Sequence, residues 1–207
     1  KQKKRFILLC GAFLAFFCQQ LQLYSSEPVH RKIQIRGDDS YPPFEFLNEK
    51  GEPDGFNVEI MHAIARIQRI DFHLELGPWS QVRSELETGK IDAITGMFYS
   101  EERDRQVDFS MHHFVWSYSV FTHENTDIQD IQDCRNRRAI VEESDIAHDY
   151  ILETQLTGEF IVMTDWRDVI KALSAEKGDF TLIGRLQGEY FLKKMGIRNV
   201  KPVGPTI

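Results

Sequence analysis

Cysteine is scarce in this sequence. The 207 residues hold three, and two of them, Cys10 and Cys18, fall in an apolar segment near the N-terminus. Cys134 then stands alone in the body, so no internal disulfide forms there and stability has to come from a packed core. Positive charge is short as well: 25 Lys and Arg stand against 32 Asp and Glu, for a net charge of −7. The body carries no basic stripe, which argues against a nucleic-acid partner. There is no Gly-rich phosphate loop, zinc-protease motif or nucleophile elbow. His112-His113 suggests a metal pair, but neighbours on a strand point to opposite faces and no second cluster has ligand spacing. Neither a metal nor another cofactor is expected.

A dense cluster of positive charge stands at the extreme N-terminus. Lys1, Lys3, Lys4 and Arg5 precede an apolar run from Phe6 to Cys18. That run has signal-peptide length and falls short of the roughly 20 apolar residues that span a bilayer as a helix. Residues 1–27 therefore read as an export signal, placing the body in the periplasm. Leu23-Tyr24-Ser25 is a poor cleavage site, so an uncleaved anchor in the inner membrane stays open. A lipoprotein reading of Cys18 meets Phe16 and Phe17 where small residues are needed.

From Lys32 onward, short β-like runs alternate with helical patterns, the signature of an α/β fold with a largely parallel sheet. Strands are predicted at Ile33–Arg36, Phe44–Leu47, Phe72–Leu76 and Ile91–Ile94. Phe56, Ile60, Ile64 and Ile67 recur at helical spacing behind Asn57, which predicts a helix over Val58–Ile67 capped by Asn57. Ser80 caps a second helix that runs to Thr88 and stops at Gly89. A second series has strands at Trp116–Thr122, Arg138–Val141, Phe160–Met163 and Phe180–Ile183. Helices are predicted around Ala147–Thr154, Trp166–Glu176 and Leu186–Met195. The economical architecture is two βα lobes, residues 32–112 and 113–202, with a cleft between them.

Motifs carry the next step. Asp38-Asp39-Ser40-Tyr41-Pro42-Pro43-Phe44-Glu45-Phe46, then Gly55-Phe56-Asn57-Val58-Glu59, Gly89-Lys90-Ile91-Asp92-Ala93, Gly96-Met97 and Glu102-Arg103 through Val107-Asp108-Phe109-Ser110 stand in sequence. In that order they resemble solute-binding protein family 3, the polar amino-acid receptors of ABC importers, whose fold is the type II periplasmic binding protein fold. Gly96 to Arg103, Asp145 to Tyr150 and Arg185-Leu186-Gln187-Gly188 are more similar to a subgroup, the Venus-flytrap sensor regions of membrane histidine kinases and diguanylate cyclases. The resemblance implies a chain that leaves lobe one, builds lobe two and returns. Residues 203–207 would begin that return, so the sequence reads as a fragment of a longer protein.

The resemblance also implies a site. Arg103 falls where the family grips a ligand carboxylate, and a guanidinium offers a planar bidentate fork; an exposed arginine paired with Glu101 or Glu102 is the plainer alternative. Gly96, Met97 and Phe98 follow a buried strand, where backbone groups approach a ligand. Tyr41 and Trp79 match ring walls of the cleft, with Phe44 close by. Asp38 ends the first strand, where it meets an amino group or caps a turn. In lobe two, Ser144, Asp145 and Ile146 open a helix whose N–H groups face the ligand. The acids around them, Glu142, Glu143 and Asp145, would repel a second anionic group and favour a cationic one. Gly184 departs from the family, which has an aspartate there for an α-amino group, and this puts an α-amino acid ligand in doubt. Arg185 contacts a second acidic group of the ligand or pairs with Glu142 or Glu143.

The expected function is an extracytoplasmic receptor that closes on a small polar, carboxylate-bearing solute, an amino acid or organic acid. Its partner is an ABC permease or a sensor kinase or cyclase module. The alternative is an enzyme on the same scaffold, resembling a cyclohexadienyl or prephenate dehydratase or a domain of a lytic transglycosylase, with Glu142, Glu143 and Asp145 as general acids.

Overall fold

A computed structural model describes residues 32–207; the expected export signal lies outside the described residues. The first lobe is built on a three-stranded parallel sheet of order β5-β1-β6, formed by β1 (Ile33–Asp38), β5 (Phe72–Gly77) and β6 (Ala93–Ile94). Beside it stands a small antiparallel sheet of β2 (Ser40–Tyr41), β3 (Glu45–Leu47) and β4 (Pro53–Asp54). Helices α1 (Phe56–Gln68), α2 (Trp79–Glu87) and the short α3 (Glu101–Asp104) complete this lobe.

The second lobe holds five strands in the order β11-β7-β10-β8-β9: β7 (Tyr118–His123), β8 (Ala139–Glu142), β9 (Phe160–Met163), β10 (Phe180–Gly184) and β11 (Val200–Val203). The sheet is mixed. β8 runs parallel to β9 and β10, whereas β7 runs antiparallel to β10 and β11. β11 was not predicted; its Pro202 is tolerated because β11 is an edge strand, where a missing N–H disrupts no inner ladder. Past β11 the chain runs back beside the first crossing, and Ile207 exchanges both backbone hydrogen bonds with Tyr118, at 2.8 and 3.0 Å.

β7, β8 and β10 are buried along their whole lengths, as strands covered on both faces must be. One face packs Val120, Leu182, Phe180 and Val141 against Ile151 of α4 (Ile146–Thr154). The other packs Phe121, Ile140 and Ile183 against Trp166, Val169, Ile170 and Leu173 of α5 (Trp166–Ser174) and Phe191 of α6 (Arg185–Met195). The spacing of the α5 residues, three and four apart, is the amphipathic stripe that burial on a sheet requires. Asp165 caps α5 by accepting from the Arg167 N–H at 2.6 Å.

Two predicted caps are corrected. Gly55 and not Asn57 precedes the first helix. Its φ of 114° is open to glycine, and a side chain there would strike the Phe44 carbonyl. The helix thus begins earlier, and the buried Asn57 side chain bonds Glu45 at 3.0 Å. Pro78 precedes α2, leaving Ser80 inside it; a proline suits this entry because it has no N–H to leave unpaired. Gly89 stops the helical stretch with φ 69°, as predicted.

Phe121 is fully buried at the meeting of sheet, α5 and α6. Phe121→Ala should cost about 3–5 kcal/mol in urea unfolding; a loss under about 1 kcal/mol would mean that this face is not a packed core.

Candidate functional site

The lobes meet where β1, α2 and α3 of the first face β7, β8 and the start of α4 of the second. Arg103 lies here, only 2% exposed, so the exposed alternative is corrected. Ser100 caps α3 by accepting from the Arg103 N–H at 3.2 Å, which fixes the backbone from which this side chain projects.

The Arg103 guanidinium is already engaged. Nε and Nη2 donate to Asp149 Oδ2 at 3.1 and 2.7 Å, Nη2 also donates to the Ser144 carbonyl at 3.0 Å, and Nη1 to the Phe98 carbonyl at 3.4 Å. Four of the five N–H groups are thus used by the protein itself. Trp79 donates its indole N–H to the same Ser144 carbonyl at 2.8 Å, and its ring centroid lies 5.9 Å from the Arg103 guanidinium carbon. Arg83 adds a third donor to that carbonyl at 3.0 Å and reaches Asp149 Oδ2 at 3.1 Å. Ser144 turns its carbonyl toward the first lobe by adopting a left-handed φ of 63°. Three donors from lobe one therefore converge on one backbone oxygen and one carboxylate of lobe two. Sequence reasoning placed Trp79, Arg103 and Ser144 here but missed Arg83 and Asp149, whose motif is only an ordinary charged helix face.

Next to this latch lies a group of buried acids. Asp38 is 3% exposed, Asp145 5% and Glu142 1%. Asp38 accepts from the Ser40 N–H at 2.7 Å, which is the turn-capping role weighed for it. Asp145 caps α4 through the Ala147 N–H at 2.8 Å and accepts from the Tyr118 hydroxyl at 3.2 Å. The helix start that was expected to face a ligand has thus spent one N–H on its own cap. Glu142 has no hydrogen-bond partner on either carboxyl oxygen.

Burial pushes all three acids up: Asp38 and Glu142 well above the usual carboxylate range, and Asp145 to about 6. Desolvation is the largest cause in each; the Asp145 charge adds to the rise at Asp38 and Glu142, and Asp38 of lobe one is the first charge acting on Glu142 of lobe two. Arg103 pulls Asp145 in the opposite direction.

Aromatic rings wall the same junction. The Tyr41 and Tyr118 hydroxyls lie 3.4 Å apart, and Ser40 Oγ donates across the lobes to Asp165 at 3.0 Å. Tyr41 contacts Phe44, and Phe44 meets Trp116 edge-on at 4.5 Å. Phe98 packs on Tyr118 at 5.2 Å. Gly96, Met97 and Phe98 are half-buried, and Gly96 sits so close to Asn57 that a side chain there would press on its amide. Ile146 is half-buried and packs on the second-lobe core.

Two expectations are not met. Arg185 does not reach the junction or Glu142; it pairs with Glu189 at 2.9 Å on the surface of α6, where the i,i+4 spacing brings the two together. Gly184 is not merely a lost acid: a Cβ there would collide with the Trp116 indole, which fills the space. A hollow of about 510 Å³ between α1 and β5, lined by His62, Arg66 and Phe72 among others, shares no residue with this site.

The raised carboxyls fix a pH dependence. A folded-state pKa above the unfolded one means that the fold holds protons the unfolded chain has lost, so the stability contribution falls as pH rises. Glu142→Gln removes that penalty. Its melting temperature should exceed that of the unsubstituted chain at pH 7.5, with the gap closing as pH falls toward 4.5; equal melting temperatures across that range would show Glu142 to be solvated. Gly184→Ala should destabilise by about 1–3 kcal/mol through overpacking against Trp116, measured in the same unfolding assay.

Comparison with known proteins agrees with this geometry. The family described as bacterial extracellular solute-binding proteins, family 3, matches residues 33–149, more than half of the chain. The arginine-binding periplasmic protein of Mannheimia haemolytica is 35% identical over 94 residues, covering 45% of this chain and 40% of that protein. The L-cystine-binding protein TcyJ of Bacillus subtilis is 29% identical over 164 residues, covering 75% and 60%. The chain thus spans two to three fifths of the length of these relatives. A crystal structure of a histidine kinase sensor domain similar to periplasmic binding proteins superposes with a TM-score of 0.82 at 30% identity, covering 87% of this chain and 80% of that one. An ancestral arginine-binding protein bound to arginine shares the fold, with a TM-score of 0.77 at 21% identity over 85% of this chain and 79% of that one. With two α/β lobes meeting at a buried polar junction and the motifs in family order, the chain belongs to the bacterial extracellular solute-binding proteins, family 3.

Proposed function

We propose that this chain is an extracytoplasmic solute-binding domain that closes on a small polar ligand, and that closure is read out as a signal. The observation that carries the reading is the convergence of Trp79, Arg83 and Arg103 from one lobe on Ser144 and Asp149 of the other. These contacts exist only when the lobes are together, so they define a closed state that a ligand can favour or oppose. Moving such an equilibrium from 1:99 to 99:1 takes roughly 5.5 kcal/mol of differential affinity. A few charge-assisted hydrogen bonds and the burial of apolar surface are of that order.

Sensing is supported by the likeness to a histidine kinase sensor domain at 30% identity. In that role the domain is tethered to the inner membrane and drives a kinase or cyclase module. Delivery of solute to an ABC permease is the second reading, favoured by relatives named for arginine and L-cystine binding. Catalysis by Glu142, Glu143 and Asp145 has less support, because Glu143 is exposed and does not join the buried acids at the junction. The expected carboxylate grip by Arg103 requires a ligand to displace Asp149.

The test is a thermal-shift screen of the full chain against amino acids, organic acids and amines, with X-ray scattering on each hit. A hit should raise the melting temperature and reduce the radius of gyration, and Arg103→Ala should weaken it about tenfold or more, since the variant loses the bonds by which Arg103 joins Ser144 and Asp149 to the first lobe and leaves Asp149 to Arg83 alone. A screen in which no small polar solute stabilises the chain would overturn the receptor reading.

A further inference from the structure

We infer that Glu142, Asp38 and Asp145 form the recognition site for the ammonium group of a compact organic amine, and that this ligand needs no carboxylate. The inference rests on the receptor reading above and adds the chemical class of its solute.

The starting point is Glu142. A carboxyl group that is 1% exposed and has no donor on either oxygen is costly in a folded protein, because it has lost water and gained nothing. It sits at the C-terminal end of β8, where open α/β sheets present ligands. The strongest charges acting on it are those of Asp38, Asp145, Asp165 and Asp39, all negative. The cations nearby are taken: Arg103 and Arg83 by Asp149 and Ser144, and Arg167 by Asp165. The site therefore carries an unmet demand for positive charge and for N–H donors, and one alkylammonium meets both with three N–H groups. The rings of Tyr41, Tyr118, Phe44 and Trp116 are suited to the apolar stem and to cation–π contact.

The anionic half of an amino acid finds no matching vacancy. Asp149 holds the Arg103 guanidinium through Nε and Nη2, the face that a ligand carboxylate would use. Trp116 fills the space over Gly184, so no side chain at that position can hold an α-ammonium. An amine without a carboxylate leaves both arrangements intact and neutralises the buried acids directly.

Calorimetric titration of the full chain with two matched pairs, putrescine with ornithine and agmatine with arginine, tests this. Each amine is expected to bind at least as tightly as its parent amino acid, and Glu142→Gln to weaken both amines about tenfold or more, the loss of one charge-assisted contact. A second measurement needs no variant: amine affinity of the unsubstituted chain should fall about tenfold or more between pH 8 and pH 5 as Asp145, pushed up to about 6, takes up its proton. Parent amino acids binding tenfold tighter than their amines, or amine affinity unchanged in Glu142→Gln, overturns the inference. If the solute screen finds only carboxylate-bearing ligands, the inference falls and the receptor reading stands; if it finds no ligand at all, both fall.

Discussion

Closing two lobes over charged groups removes those groups from water, and the junction of this protein is organised by how that loss is compensated. On one side compensation is nearly complete. Arg103 is buried, but Asp149, Ser144 and Phe98 supply acceptors to four of its N–H groups. On the other side it is incomplete: Glu142 is as deeply buried as Arg103 and receives no donor. A closed state of this kind combines a satisfied latch with an unsatisfied acid, and the cost of the second sets how much a bound cation would gain.

This asymmetry connects packing to the proposed signal. The latch contacts join α2 and α3 of one lobe to the start of α4 of the other, and α4 is itself seated on the second-lobe core through Ile151. The chain segments that cross between the lobes lie side by side at Tyr118 and Ile207. Tyr118 belongs to that crossing and also donates to Asp145. The Tyr118 hydroxyl therefore ties the buried acid Asp145 directly to the crossing between the lobes.

Much of the fold was legible because burial imposes periodicity. Phe160–Met163 matches its predicted strand, and the predicted cores of the three second-lobe helices agree with the structure to within a few residues. Failures occurred where a contact distant in sequence decided a local choice. Asn57 is a good helix cap by residue type, yet Gly55 and the Phe44 carbonyl fix where α1 starts. The strand at Val200–Val203 has a proline and little alternation, and it exists because β7 offers it an edge.

The sequence by itself determined the α/β architecture through its local patterns and the family through its ordered motifs, and the likeness to that family pointed to Arg103, Trp79, Tyr41 and Asp38. Only the tertiary structure decided which charges meet. Asp149 reads as a surface acid on a helix, and nothing in its neighbours says that it faces an arginine 46 positions earlier. Glu142 reads as the end of a strand, and its isolation is visible only once the lobe-one acid Asp38 is brought against it. Pairing depends on distance and dielectric, and these are properties of the folded chain that sequence order does not contain.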